Sequence, residues 1–161
     1  MLPIPEKFTL SVGKGEGKEK LTAFDAALLD AGIGNMNLLR VSSVLPPRCV
    51  YVGDLDMPLG SLLPIAYGSI TSDVPGETIA AAIGVGIPDD PDSFGMIMEF
   101  SGFCKADEAA QRVESMVVEA FDMRSLKLKE VKVKAIDHIV KVCGSVIASC
   151  PLFYDYRNKK I

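Results

Sequence analysis

Short strand-like segments separated by proline and glycine restrict the fold of this chain more than any other feature of its sequence. They are predicted at 8–12, 37–41, 49–52, 63–71, 78–85, 95–103, 126–133 and 144–153. Two helices are predicted, at 19–31 and 106–123, where apolar side chains recur every three or four positions. Two helices with about eight strands predict layers of sheet covered by helices, an α/β (α+β) fold. A slip in the alternation at Glu130 predicts a β-bulge.

A serine pair follows one of these strands. Ser42 and Ser43 come directly after the strand 37–41 and precede Pro46 and Pro47. Because proline fixes φ at about −65° and disfavours helix in the residue before it, the strand is predicted to end in a stiff extended turn. Such a pair is most often only a turn. It can also react with its own backbone: Ser43 Oγ attacks the Ser42 carbonyl to give an ester, and β-elimination and hydrolysis then leave a pyruvoyl ketone at position 43.

Two glycine-rich segments fail to match nucleotide-binding motifs. Residues 13–20 lack the first glycine and the final serine or threonine of a phosphate-binding loop, so a solvated loop is expected there. Residues 84–86 lack a third glycine and a following helix pattern. They are interpreted as part of a buried strand that ends at Pro88.

Two acidic residues stand out by their positions. Asp25 lies in the predicted helix 19–31, where spacing alone favours a solvated face. Glu99 is embedded in the apolar strand 95–103. A carboxylate there either faces solvent or is buried at a cost that implies a function, and the residues alone leave both interpretations open.

Four segments, in this order, resemble the pyruvoyl-dependent arginine decarboxylases. They are AFDAALLDAGIGNMNLLRVSSVLPP (23–47), LPIAYGS (63–69), PGETIAAAIGVGIP (75–88) and GMIMEFSG (95–102). The resemblance implies a four-layer αββα sandwich with largely antiparallel sheets. It further implies cleavage of the single domain 1–161 into a β chain, 1–42, and an α chain, 43–161, and assembly as a homotrimer or hexamer with active sites between neighbours.

The same resemblance assigns the residues of self-processing. The family motif, a branched residue, Ser-Ser, a branched aliphatic residue and a nearby proline, matches positions 41–46. Ser42 is then the cleavage site and Ser43 the precursor of the pyruvoyl group. Asn37 matches the processing asparagine, whose amide N–H would donate to the oxyanion formed during attack.

The resemblance also implies the reaction and its substrate-binding residues. The expected reaction is decarboxylation of L-arginine to agmatine and CO₂ through a Schiff base on the covalent pyruvoyl group, with neither a metal nor PLP. Glu99 is the expected proton donor, Asp25 the partner of the guanidinium, and backbone around Gly34 and Met36 the pocket lining. Two alternatives are a pyruvoyl decarboxylase of another amino acid, histidine or aspartate, and a non-catalytic trimeric binding domain of the same fold.

Composition limits the partners and the location. With 161 residues, 48% of them apolar, and a net charge of −4, the chain is expected to be one globular domain that does not bind nucleic acid. No apolar run is of membrane-spanning length, so no membrane association and a cytoplasmic location are expected. Four cysteines without a CxxC pair and a single histidine indicate no metal site. The tail 155–161 is too polar to pack on its own.

Overall fold

The chain forms two helices and ten strands within residues 3–154, which are the residues that the computed structural model describes. The predicted polar tail, 155–161, lies outside them. The helices are α1 (Lys20–Asp30) and α2 (Ala106–Met123). The strands are β1 (Lys7–Phe8), β2 (Ser11–Glu16), β3 (Asn37–Arg40), β4 (Val44–Leu45), β5 (Val50–Tyr51), β6 (Leu62–Ser72), β7 (Thr78–Pro88), β8 (Gly95–Gly102), β9 (Leu128–Ile139) and β10 (Gly144–Phe153).

The strands form two sheets. The first has the order β3-β6-β10-β1-β5, with β2 also paired to β10, and the second has the order β4-β8-β7-β9. Pairing is antiparallel except between β3 and β6 and between β1 and β5. The predicted slip is present, because Ile87 pairs with Glu130 while the next residue, Pro88, pairs with Leu128. Lys129 is therefore the extra residue of the expected bulge.

The two sheets pack face to face, and each helix covers the outer face of one sheet. Apolar residues from both sheets share the central core, among them Phe8, Ile83, Ile97 and Val146. Helix α1 packs on β2, β6 and β10, and α2 packs on β7, β8 and β9. This order of layers confirms the four-layer αββα sandwich with largely antiparallel sheets.

Glycines bring both helices unusually close to their sheets. The prediction of a solvated loop at 13–20 is wrong for residues 13–16, since β2 includes Gly13 and Gly15 and lies under α1, and a loop is present only at 17–19. A Cβ at Gly13 would lie 2.2 Å from the Ala27 carbonyl oxygen, and one at Gly15 would lie 2.5 Å from Ala26 Cβ. Only glycine permits this packing distance, so residues that look like loop in the sequence are strand. The predicted strand 8–12 is accordingly divided between β1 and β2.

One carboxylate at the end of β2 fastens the loop before β10. Glu16 accepts hydrogen bonds from the backbone N–H groups of Lys141, Val142 and Cys143 at 2.9–3.1 Å, and from His138 Nε2 at 2.6 Å. Burial raises the pKa of Glu16, but the hydrogen bonds outweigh it and lower the pKa to about 2.

Within residues 3–154, no helix is both long and apolar enough to cross a membrane.

Candidate active site

The serine pair lies where the chain crosses from the first sheet to the second. The Val41 N–H still donates to the Ile65 carbonyl oxygen of β6 at 3.0 Å, next to the end of β3. The Ser43 carbonyl oxygen already accepts from the Ile97 N–H of β8 at 2.7 Å. Ser42 is exposed and Ser43 is half-buried. The peptide bond between the serines is thus held between two fixed hydrogen bonds, one on each sheet.

The turn after the serines is held at its far end, as its prolines predict. Cys49 N–H donates to the Pro46 carbonyl oxygen at 3.3 Å, and Arg48 adopts a left-handed φ of 59°. The Arg48 side chain forms an ion pair with Asp92, and its backbone N–H donates to the Pro91 carbonyl oxygen at 3.1 Å. The short strand β4 is therefore anchored on both sides.

Glu99 faces the space between the sheets near the serines. It lies two residues beyond Ile97 on β8, a rise of about 6.5 Å, and pairs in register with Ile83 of β7. Room for its side chain comes from Gly68 of β6, where a Cβ would lie 3.2 Å from Glu99 Cβ. Its side chain is 30% exposed. Burial raises the pKa of the carboxyl, and the positive charge of Arg40 opposes this only in part.

Two residues of this site were missed by the sequence interpretation. Arg40, the last residue of β3, places Nη2 3.6 Å from Glu99 Oε1 and donates from the same nitrogen to the Tyr67 carbonyl oxygen at 3.0 Å. Its guanidinium carbon lies 4.6 Å from the centroid of the Tyr67 ring. The available signal was a charged residue between two apolar ones, Leu39 and Val41, two positions before the serine pair.

The other predicted residues lie at the opposite end of β3. Asn37 is exposed, and its Nδ2 donates to the Gly60 carbonyl oxygen at 2.9 Å. Gly34 closely approaches the end of α1, since a Cβ there would lie 2.7 Å from Leu29 Cδ2. Met36 is half-buried against the apolar cluster under α1. The structure therefore does not bring the Asn37 amide to the serine pair within one chain.

Asp25 is exposed on α1 and forms no ion pair with another residue in 3–154. Its neighbour Phe24 contacts the ring of Tyr67, with the centroids 6.3 Å apart. The described residues contain no group of three or more side chains that could hold a metal ion. A carbonyl group formed at position 43 would be smaller than the serine it replaces. It would lie in the space that Ser43 occupies, next to Ile97 and two residues along β8 from Glu99.

The fold is similar to that of one pyruvoyl-dependent decarboxylase of known structure. A solved structure of pyruvoyl-dependent histidine decarboxylase superposes with a TM-score of 0.50, at 18% sequence identity, over 61% of this chain and 53% of that one.

The family follows from the sequence. Residues 7–157 match the family model of pyruvoyl-dependent arginine decarboxylase. A relative of that name from Methanocaldococcus jannaschii is 46% identical over 94% of this chain and 92% of its own length. Another, from Pyrococcus furiosus, is 41% identical over 94% of this chain and 97% of its own length. The chain belongs to the pyruvoyl-dependent arginine decarboxylase family, whose covalent pyruvoyl cofactor it shares.

Proposed function

We propose that this enzyme decarboxylates L-arginine to agmatine and CO₂ with a pyruvoyl group that it makes from Ser43. The observation that carries the proposal is the serine pair at the crossing between the sheets, where Ser43 is hydrogen-bonded to Ile97, two residues along β8 from the half-buried Glu99. In processing, Ser43 Oγ bonds to the Ser42 carbonyl carbon and the peptide C–N bond breaks, giving an ester. Loss of the Ser43 Cα proton then expels residues 1–42 as a carboxylate. Water converts the dehydroalanine that remains into the ketone and releases ammonia.

The fixed backbone favours this attack over an ordinary turn. The two hydrogen bonds of Val41 and Ser43 hold the intervening peptide between the sheets. Neither serine hydroxyl has a hydrogen-bond partner within residues 3–154, so Ser43 Oγ is not withheld by another acceptor. Orientation of a nucleophile next to its carbonyl is a large part of the barrier reduction in such intramolecular steps.

Glu99 is the proposed proton donor of turnover. The pyruvoyl group would supply a ketone that condenses with the substrate α-amine, with loss of water, so that the electron pair left when CO₂ departs can be delocalised. A proton must then be delivered to the carbon that lost CO₂, close to position 43. The raised pKa of Glu99 favours the protonated carboxyl that can deliver it.

Arginine is the substrate that the relatives' names and the residues support best. An arginine guanidinium presents a planar set of donors that a carboxylate accepts in two parallel bonds, and Asp25 is the proposed acceptor. Backbone at Gly34 and Met36 is proposed to line the same pocket. Histidine is the weaker alternative, because the solved histidine decarboxylase is 18% identical, whereas the arginine decarboxylase from Methanocaldococcus jannaschii is 46% identical.

Completion of the site by a neighbouring copy is part of the proposal. Asn37 lies at the far end of β3 from the serines within one chain, and Asp25 is on the outer face of α1. Leu39 of β3 and Leu62, which pairs with Asn37, are 37% and 55% exposed at the β3 edge of the first sheet, which a neighbour would cover. A homotrimer, or a hexamer of two trimers, would bring these groups to the serines of the adjacent copy. A cytoplasmic location is proposed with it.

Intact-mass measurement of the purified protein tests the processing step. Chains of residues 1–42 and 43–161 are expected, the second with a blocked N-terminus, and Ser43→Ala should remain one chain. A single unmodified chain after long incubation of the assembled protein would contradict the proposal.

Glu99→Gln and a substrate competition test the chemistry. Glu99→Gln should cleave at least in part but release CO₂ from arginine far more slowly than the parent, and parental turnover by the fully processed variant would assign the proton to another group. Competition among arginine, lysine, histidine and aspartate should favour arginine. Preference for another of these amino acids would overturn the substrate and leave the pyruvoyl chemistry standing.

A further inference from the structure

Arg40 is held by β6 independently of Glu99. Its Nη2 donates to the Tyr67 carbonyl oxygen at 3.0 Å, and its guanidinium carbon lies 4.6 Å from the Tyr67 ring centroid. The Tyr67 ring is fixed in turn by contact with Phe24 of α1. The Arg40 side chain is 58% exposed. Its guanidinium is nevertheless kept in one place by the hydrogen bond and by the Tyr67 ring.

The position of Arg40 follows from where β3 ends. Arg40 pairs in register with Ile65 of β6, and the chain then leaves this sheet for the second one. Beyond that point β6 continues without β3 beside it, so the Tyr67 carbonyl oxygen is available to the Arg40 side chain. On the other side of this contact Gly68, the next residue of β6, leaves room for Glu99, since a Cβ there would lie 3.2 Å from Glu99 Cβ.

Few charged groups other than Arg40 face Glu99. On β8 and β7 its neighbours toward the core are Ile97 and Ile83. On β9 the nearest cation in the same row is Lys134, which pairs with Ile83 and donates to the Leu10 carbonyl oxygen at 3.0 Å. The neighbour of Glu99 on β6 is Gly68. The segment that crosses between the sheets contributes only the serine pair, which is uncharged.

We infer that Arg40 is a positioning residue for Glu99: anchored on Tyr67, its guanidinium holds the Glu99 carboxyl beside the crossing between the sheets. A flexible glutamate at this place would sample several rotamers, and only some of them point to position 43. The Arg40 guanidinium, 3.6 Å from Glu99 Oε1, attracts a carboxyl oxygen in either protonation state and so selects among them. The inference rests on the proposed role of Glu99 as proton donor and adds that Arg40 orients its carboxyl.

The geometry also sets how easily Glu99 loses and regains its proton. Each turnover removes a proton from the carboxyl and requires its return, which is fastest when the pKa lies near the working pH. Burial raises the pKa of Glu99, and Arg40 opposes that effect. Without the guanidinium, the carboxyl would keep its proton to higher pH.

The chain contains a matched control in Arg112. This arginine pairs with Glu108 at 2.9 Å, lies 4.9 Å from the centroid of the Phe100 ring, and has a side chain that is 56% exposed. Like Arg40, it therefore forms an ion pair, contacts an aromatic ring and has a side chain that is more than half exposed. Its carboxylate partner, however, is Glu108, on the outside of α2.

The first experiment measures the carboxyl directly and needs no pyruvoyl group. In the uncleaved Ser43→Ala protein, labelled with ¹³C at the glutamate carboxyl carbons, the Glu99 signal is assigned by its loss in Glu99→Gln and titrated. Adding Arg40→Gln should raise the pKa of Glu99, Arg40→Lys should raise it less because the charge remains, and Arg112→Gln should leave it unchanged. An unchanged Glu99 titration in Arg40→Gln would overturn the inference.

The second experiment measures turnover per pyruvoyl-bearing chain, counted by intact mass. Arg40→Gln should lower kcat about 10- to 100-fold, as expected for a displaced proton donor, with a smaller change in KM. Because the protonated carboxyl is the active form, activity is lost as pH rises through its pKa, so this loss should move to higher pH in Arg40→Gln. Arg40→Lys should recover part of kcat, and Arg112→Gln should match the parent.

A kcat profile of Arg40→Gln identical to that of the parent would refute the positioning role. Failure of the proposed function would appear separately, as parental turnover in fully processed Glu99→Gln.

Discussion

Gly68→Ala should displace Glu99 while barely disturbing the fold. A Cβ at position 68 would lie 3.2 Å from both Glu99 Cβ and the Phe100 carbonyl oxygen, and 3.4 Å from Glu99 Cγ. Carbon atoms prefer separations of about 3.5–4.0 Å, so Glu99 must move by roughly 0.3–0.8 Å. A displacement of about 1 Å at a reacting group can cost about 100-fold, so a fall in kcat of about tenfold is expected.

The cost in stability should be small. Overpacking costs about 1–3 kcal/mol, and replacing glycine by alanine returns about 0.4–1 kcal/mol through the unfolded state. The net loss of about 1 kcal/mol corresponds to a decrease in Tm of about 2–4 °C for a chain of this size.

Gly84→Ala is the matched control. A Cβ there would lie 3.3 Å from Cγ2 of both Val113 and Val117, on the face of β7 that packs against α2. Its Tm should fall by a similar amount with no change in kcat. Thermal unfolding and steady-state decarboxylation, normalised to the processed fraction, give both quantities. Equal kcat values for the two variants would refute the argument that Gly68 makes the space for a functional carboxyl.

Three further predictions concern other residues. Asn37→Ala should slow cleavage about 10²- to 10³-fold, as for loss of one oxyanion donor, with only a small decrease in Tm from the lost exposed hydrogen bond to Gly60; normal cleavage kinetics by gel would remove Asn37 from processing. Asp25→Asn should still cleave but lose roughly 30-fold to several thousand-fold in kcat/KM for arginine, since about 2–5 kcal/mol is lost with a charged partner; an unchanged value would exclude it as the guanidinium acceptor. Glu16→Gln should lower Tm at neutral pH. Because the pKa of Glu16 is lowered from 4.5 to about 2, its stabilisation is complete above about pH 4.5 and is lost as pH falls toward 2. The Tm difference between parent and Glu16→Gln should therefore vanish over that range, and a constant difference would contradict this account.

Local sequence patterns predicted the elements whose burial is visible along the chain. The apolar runs of β7 and β8 and the amphipathic pattern of α2 correspond to the structure within a few residues. The glycine-containing strand β2 was missed because it is buried by α1, which can pack this closely only where Gly13 and Gly15 have no side chains. A glycine beside a helix and a glycine in a loop look alike in one sequence.

Long-range contacts explain what the sequence missed at the site. The contact of Arg40 with Glu99 joins β3 to β8, two strands of different sheets that are separated along the chain by β4, β5, β6 and β7. The hydrogen bond from Asn37 to Gly60 likewise joins residues far apart in sequence. Neither contact produces a periodic pattern in the sequence. Residue types alone could therefore suggest candidate site residues, but not which of them are in contact.

The interleaving of strands has a consequence for how the protein can be made. Strands β1, β2 and β3 come from residues 1–42, yet their partners in the first sheet include β10 and β6 from residues 43–161. Before the proposed cut, the connecting chain keeps these partners at an effective concentration of the order of millimolar. After the cut, the same strand pairings hold together two separate chains, so refolding from the unfolded state becomes bimolecular. Folding before the proposed cut avoids this bimolecular step. Recovery of sheet structure, as distinct from assembly of the oligomer, should therefore depend on protein concentration for the unfolded mature enzyme and not for the precursor.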